Sequence, residues 1–168
     1  MDDLCVSLED MLESKEDRAI YQSQLIDKYK CPLVSFTVVM PGKIKQNKMT
    51  EKIFQKGVFS IENALKGYDV KYKDHRNKKT GPEGFYCVDL PLETLKRLMT
   101  EIEDGERIGR LYDIDVIGID KHPVSRSDYN MPERKCLICG NPAHVCSRSR
   151  KHTVDELLCE IERVLSDE

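Results

Sequence analysis

Apolar and polar positions alternate along this chain with two periods, and the switches between them mark its elements. Residues 8–29 carry Leu8, Met11, Leu12, Ala19, Ile26 and Tyr29 at helical spacing. Ser7 with Asp10 makes a capping box at the start, Asp standing for the usual Glu or Gln. Pro32 ends the segment. Residues 33–40 read as a strand rich in β-branched side chains, stopped by Pro41-Gly42. A helix over residues 50–66 is predicted by Phe54, Val58, Ile61 and Leu65, with Gly67 just past its end. Residues 68–73 alternate with period two, as a half-exposed strand does. Residues 74–84 read as a polar loop, and residues 85–90 as a further strand. Pro91 suits a helix start, and Leu92, Leu95, Leu98, Met99 and Ile102 form the stripe that follows, closed by Gly105. Residues 108–118 read as a strand with Tyr112, Ile114 and Val116 on one face and Asp113 and Asp115 on the other.

Beyond Gly118 the periodicity fades. Val124-Ser125-Arg126 reads as a short strand, residues 127–134 as loop, and residues 136–152 as a Cys- and Arg-rich loop segment. A last helix over residues 154–165 starts with a Thr153/Glu156 capping box. The order from residue 33 to 117 is β-α-β-β-α-β. It predicts an α+β fold in one domain (1–168): a ferredoxin-like antiparallel sheet with an extra N-terminal helix and an extra C-terminal helix. A nucleotidyltransferase-like arrangement, which also places paired acidic residues on a strand, is the alternative.

Composition narrows the function. The chain has 168 residues, 27 basic and 30 acidic, for a net charge of −3. That balance lacks the basic excess of a protein that coats nucleic acid. With no Trp and no aromatic RNA-binding motif, a zinc-stabilised RNA-binding module has little support. No apolar run is long enough to span a bilayer. The acidic N-terminus lacks the order of a signal peptide, and seven cysteines without such a signal point to a cytoplasmic protein with reduced thiols.

Three groups of residues carry candidate chemistry. Asp113 and Asp115 lie on one strand face, their Cα atoms roughly 6.5 Å apart. Like charges so placed repel, and a hard divalent cation such as Mg²⁺ converts repulsion into coordination. Cations cluster in loops at element ends: Lys43 and Lys45, Arg76 with Lys78 and Lys79, Arg110, Arg126 and Arg134, and Arg148 with Arg150, Lys151 and His152 before the last helix. Carboxylates with basic loops suit a polyphosphate substrate. The third group is Cys136-x-x-Cys139 with His144 and Cys146, a zinc site by ligand type, with His152 as a substitute for His144. Reduced thiols packed in a tight turn stand ahead of zinc there. No serine has a nucleophile-elbow pattern, so a hydrolase triad is unsupported.

Several stretches then occur in one order: Glu16-Asp-Arg18 with Gln22, Leu33-Val-Ser-Phe-Thr37 leading to Pro41-Gly-Lys-Ile-Lys45, and Gly81-Pro-Glu83. They continue with Gly109-Arg-Leu-Tyr-Asp-Ile-Asp-Val116, Ser125-Arg126, Cys136-Leu-Ile-Cys139 and Cys146-Ser-Arg-Ser-Arg-Lys-His152. As a set, covering nearly the whole chain, they resemble the citrate lyase holo-acyl-carrier-protein synthase family, also called apo-citrate lyase phosphoribosyl-dephospho-CoA transferase. The resemblance implies a nucleotidyltransferase-type reaction. Triphosphoribosyl-dephospho-CoA donates phosphoribosyl-dephospho-CoA to a serine of the citrate lyase acyl carrier (gamma) subunit, and diphosphate leaves. It implies that Asp113 and Asp115 are catalytic. It also makes Arg18, Gln22, Lys43, Lys45, Arg110, Ser125, Arg126, Arg148, Arg150 and His152 the candidates for substrate binding. Neither a membrane nor a nucleic-acid partner is expected. The competing reading is a carrier-binding or assembly module without turnover, against which the two intact aspartates argue.

Overall fold

The protein's computed structural model describes residues 4–167. Its elements are α1 (Leu8–Tyr29), β1 (Leu33–Val38), α2 (Lys48–Ala64), β2 (Asp69–Lys78), β3 (Gly81–Asp89), α3 (Leu92–Gly105), β4 (Tyr112–Ile117), α4 (Ala143–Ser149) and α5 (Val154–Ser166). Short 3₁₀ turns occupy Arg107–Leu111 and Arg126–Tyr129. The four strands form one sheet in the order β2-β3-β1-β4, with every neighbouring pair antiparallel. The α+β class and the β-α-β-β-α-β order of residues 33–117 are therefore as expected.

Side-chain alternation sorts the sheet into two layers. Val34, Phe36, Tyr86, Val88, Tyr112, Ile114 and Val116 face one way and pack with α2, α3 and α5. Leu33, Phe85, Cys87 and Ile117 face the other way, against Leu25 and Ile26 of α1. Gly57 lets α2 approach β1 closely, since a Cβ there would meet Phe36 at 2.3 Å. Both expected capping boxes are formed, Ser7 with Asp10 and Thr153 with Glu156.

The structure departs from the sequence reading in five places. Residues 74–84 are not a loop: β2 continues to Lys78 and β3 begins at Gly81. The backbone ladder to β3 is indifferent to side-chain polarity, and the polar side chains on one face of β2 find partners on α1. Tyr21 Oη donates to Asp74 at 2.7 Å, the Arg76 guanidinium stacks 4.3 Å from the Tyr21 ring, and Lys78 lies 3.7 Å from Asp17. Second, residues 108–111 form a 3₁₀ turn rather than the start of β4. Gly109 sits so close to the end of α3 that a Cβ would meet the Ile102 and Glu103 carbonyl oxygens at 2.4 and 2.6 Å. Third, the apolar stripe of α1 is core only in its C-terminal half; Leu8 and Leu12 are exposed. Fourth, residues 124–126 form no strand. Pro123 makes a single bridge to Ile117, Val124 N donates to the Val116 carbonyl at 2.8 Å, and Arg126 opens a 3₁₀ turn. The segment 136–152, expected as loop, contains the short helix α4.

Candidate active site

Along the face of the sheet that looks at α1, the residues change from apolar to polar. Leu33 pairs with Cys87 and Ile117, Ser35 with Phe85 and Asp115, and Thr37 with Glu83 and Asp113. The helix above changes in step. Its side spaced like Tyr29, Ile26 and Leu25 continues through Gln22, Arg18, Ser14 and Met11. A polar sheet end beneath a polar helix side does not close into core. It leaves a cleft of about 230 Å³, lined among others by Ser14, Arg18, Thr37, Lys45, Glu83 and Asp113. The Ser14 and Thr80 hydroxyls, 2.7 Å apart, hold the helix to the tip of the β2–β3 hairpin at one side of it.

Asp113 and Asp115 occupy the face predicted for them, on the edge strand β4. Asp113 is half-exposed, and its Oδ1 accepts from Arg134 Nη1 at 3.2 Å. Asp115 keeps solvent contact, but protein crowds its carboxyl. Loss of hydration pushes its pKa above the ordinary carboxylate value, the charge of Asp113 adds to this, and Lys96 and Arg18 oppose it. Beside it, Gln22 Nε2 donates to Ser35 Oγ at 2.9 Å, which ties α1 to β1.

The outer edge of β4 is capped by a side chain. Glu103, 3 % exposed, accepts from Ile114 N at 2.9 Å with one oxygen and from Arg126 Nη2 at 2.6 Å with the other. The rest of the Arg126 guanidinium is taken by Asp104 and the Pro132 carbonyl. Both terminal nitrogens are thus engaged inside the protein, where Arg126 binds the 126–132 loop to α3.

The structure brings some of the predicted substrate-binding residues to the cleft and not others. Arg18 and Lys45 line it. Lys45 is half-buried, its ammonium donates to the Met40 carbonyl, and burial lowers its pKa. Lys43 is exposed. Ser125 is exposed, its hydroxyl 2.8 Å from that of Ser127. Arg110 donates to the Cys136 carbonyl at 3.2 Å and its own carbonyl accepts from Arg134, so it laces the cysteine segment to the start of β4. Arg148 and Arg150 are exposed at the end of α4, with no hydrogen bond or ion pair to their guanidinium groups among the described residues. His152 lies with the cysteines, 3.4 Å from Cys139 Sγ, whereas His144, expected there, is exposed on α4 and outside the cluster.

Two residues beside the aspartates hold places that the sequence did not assign to them. Glu83 is 2 % exposed, and neither carboxylate oxygen has a hydrogen-bond partner among the described residues. Arg18 at 3.7 Å and Lys78 at 3.8 Å are its only ion pairs there. It is a buried carboxylate at the cleft whose charge is balanced by two cations beyond hydrogen-bond distance. Its signal was the stretch Gly81-Pro-Glu83, hidden by reading it as loop. Arg134 is the second. It binds Asp113 together with the Tyr112 and Arg110 carbonyls, a role no local pattern announces.

Paired carboxylates beside converging cations serve enzymes that transfer phosphorylated groups. Sequence comparison makes the class specific. Residues 6–168 match the apo-citrate lyase phosphoribosyl-dephospho-CoA transferase family, and the chain belongs to that family, a family of transferases. Its relatives include proteins named apo-citrate lyase phosphoribosyl-dephospho-CoA transferase from Shigella boydii serotype 18 and from Escherichia coli strain SE11. Each is 37 % identical over 164 residues, covering 96 % of this chain and 90 % of the relative. A Vibrio cholerae serotype O1 protein carrying the family's name is 39 % identical over 168 residues, covering 98 % and 94 %.

Proposed function

We propose that this protein attaches phosphoribosyl-dephospho-CoA to apo-citrate lyase, with Asp113 and Asp115 at the reacting centre. The observation that carries this reading is the cleft itself. The two aspartates share one strand face, and Asp113, Arg18, Lys45 and Glu83 converge there from four different elements or loops. The donor is triphosphoribosyl-dephospho-CoA and the acceptor is a serine of the acyl carrier subunit. The serine oxygen forms a bond to the innermost phosphorus of the triphosphate, the bond from that phosphorus to the diphosphate breaks, and the serine proton leaves to a base. One of the two aspartates is the nearest candidate for that base.

The donor set fits a hard divalent cation: two carboxylates on one strand face, with the hydroxyl residues Ser35 and Thr37 opposite them in register. Asp113 and Asp115 would hold Mg²⁺, which when bound neutralises charge on the polyphosphate. Arg18 and Lys45 bind phosphate oxygens, Arg18 by its planar pair of donors. Glu83 keeps Arg18 oriented from below. Arg126 is left out of the binding set, because both its terminal nitrogens are engaged. The sheet order β2-β3-β1-β4 supports a ferredoxin-like assignment over the nucleotidyltransferase-like one. A cytoplasmic location suits the thiol-rich composition.

The test is the intact mass of the citrate lyase acyl carrier after incubation with this protein, Mg²⁺ and the triphosphoribosyl donor. The expected gain is the donor mass less diphosphate, on the carrier serine. A folded protein that binds the carrier but leaves its mass unchanged under these conditions overturns the catalytic reading in favour of an assembly module.

A further inference from the structure

Outside the lining of the cleft, four side chains to which the proposed transfer step gives no role point at one spot. Cys136 and Cys139 lie on a tight turn, Cys146 on α4, and His152 just before α5. Their Sγ and ring nitrogen atoms all lie within 4.8 Å of one another. Cys139 Sγ is 3.4 Å from Cys146 Sγ and 3.4 Å from His152 Nε2. Thiolates bound to zinc at about 2.3 Å in a tetrahedron stand about 3.8 Å apart, which lies within the 4.8 Å limit that holds for every pair here. We propose that Cys136, Cys139, Cys146 and His152 bind one structural Zn²⁺.

The donor set selects the metal. Three soft sulfurs and an imidazole in tetrahedral reach suit zinc and are poor ligands for Mg²⁺ or Ca²⁺. Four protein ligands leave no open position for substrate, which makes the site structural rather than catalytic. The backbone already has the closed form such a site needs. Cys136 N donates to the Asn141 carbonyl and Ala143 N to the Arg134 carbonyl, both at 2.8 Å, and Lys151 N donates to the Cys146 carbonyl at 3.1 Å. Three thiolates on one Zn²⁺ leave a net negative charge, and Lys151 Nζ stands 3.7 Å from Cys139 Sγ to offset it.

Apolar burial adds little to the hydrogen bonds that hold the segment. Between residues 130 and 152 the buried side chains are Cys136, Leu137 and Cys146, too few to order a segment of that length by apolar burial. A Cys139–Cys146 disulfide accounts for two of the converging groups. It leaves Cys136 and His152 without a reason to be there.

The consequence reaches the cleft. Arg134 enters this segment, and its guanidinium holds Asp113, while Arg110 grips the Cys136 carbonyl. Zinc would order the base of the segment from which Arg134 extends.

The experiment is metal analysis of the full-length protein, purified without a histidine tag or chelator. The expected result is about one zinc per chain, kept by His144→Ala and lost by His152→Ala and Cys139→Ser. To separate loss of metal from loss of structure in those two variants, the wild type is also stripped and refilled with Co²⁺. A tetrahedral thiolate–cobalt absorption spectrum is expected. Folded wild type without stoichiometric zinc and without that spectrum overturns the site. So does zinc that survives Cys139→Ser but not His144→Ala. A Cys139–Cys146 disulfide as the main species in freshly lysed cells, read by mass spectrometry, overturns it in favour of a redox pair.

Discussion

Asp115, proposed for the reacting centre, illustrates at the scale of one residue what crowding a carboxylate costs the fold. Crowding and the neighbouring Asp113 raise its pKa, so the folded state binds its proton more readily than the unfolded chain does. Stability contributed by that proton is present at low pH and is lost as pH rises from the ordinary carboxylate value through the raised folded value. At neutral pH the ionised carboxylate therefore opposes folding. Asp115→Asn is expected to raise the melting temperature in metal-free buffer near pH 7, with the difference from wild type shrinking as pH falls through the carboxylate range. A lower melting temperature at pH 7 would contradict the raised pKa. The same change is expected to reduce transfer by at least about a hundredfold, as loss of a group that acts on developing charge does. Asp113→Asn should do likewise while leaving the circular dichroism spectrum unchanged, and near-normal turnover in both variants would remove the reacting centre from β4.

Element packing rests on a few close approaches. Gly109 lets the 3₁₀ turn before β4 lie against the last carbonyls of α3, with no room for a methyl group. That contact sets where β4 begins, and with it the face on which Asp113 and Asp115 stand. Gly109→Ala is expected to cost about 1–3 kcal/mol in urea unfolding, the usual range for overpacking. It should also depress transfer by shifting β4. Gly67→Ala serves as a comparison: no atom lies within 4 Å of a Cβ there, but φ is +85°, so its cost is backbone strain alone, without loss of turnover. Equal loss of activity in the two variants would argue against the role given to Gly109. Glu103 acts on the same strand from the other side by satisfying the edge N–H of Ile114, which blunts an otherwise open sheet edge.

Across the whole molecule, the cleft exists because α1 is amphipathic in sections. Its C-terminal half covers apolar sheet positions and its N-terminal half spans polar ones. If the donor phosphates enter there, Arg18→Ala should weaken donor binding by about tenfold or more, read by calorimetry with the Asp113→Asn protein to prevent turnover. Arg148→Ala, on the exposed end of α4, is expected to weaken it less. The reverse order would move the phosphate site from the α1 cleft to the segment after the cysteines. Salt is a further probe. If basic side chains meet an acidic carrier surface, raising ionic strength lowers the apparent affinity for the carrier; an unchanged affinity removes charge from the docking.

The residues that local physics governs could be read directly. The span of α1, both capping boxes, the order β-α-β-β-α-β, and the opposite faces of Tyr112, Ile114 and Val116 against Asp113 and Asp115 follow from side-chain period and capping chemistry. The ordered motifs reached the family, to which the full-length match assigns the chain. What tertiary structure alone decided depends on distant partners. The polar stretch 74–84 became strand because β3 and α1 supply hydrogen bonds and charges that no local window contains. Glu83 became a buried cleft carboxylate because Arg18 and Lys78 arrive from other elements. Arg126 turned inward because Glu103 and Asp104 lie across from it. His152 rather than His144 joined the cysteines because a seven-residue helix points one ring outward while the chain beyond it returns the other. Period and propensity report on neighbours along the chain, whereas charge pairing and convergence at a site are fixed by neighbours in space.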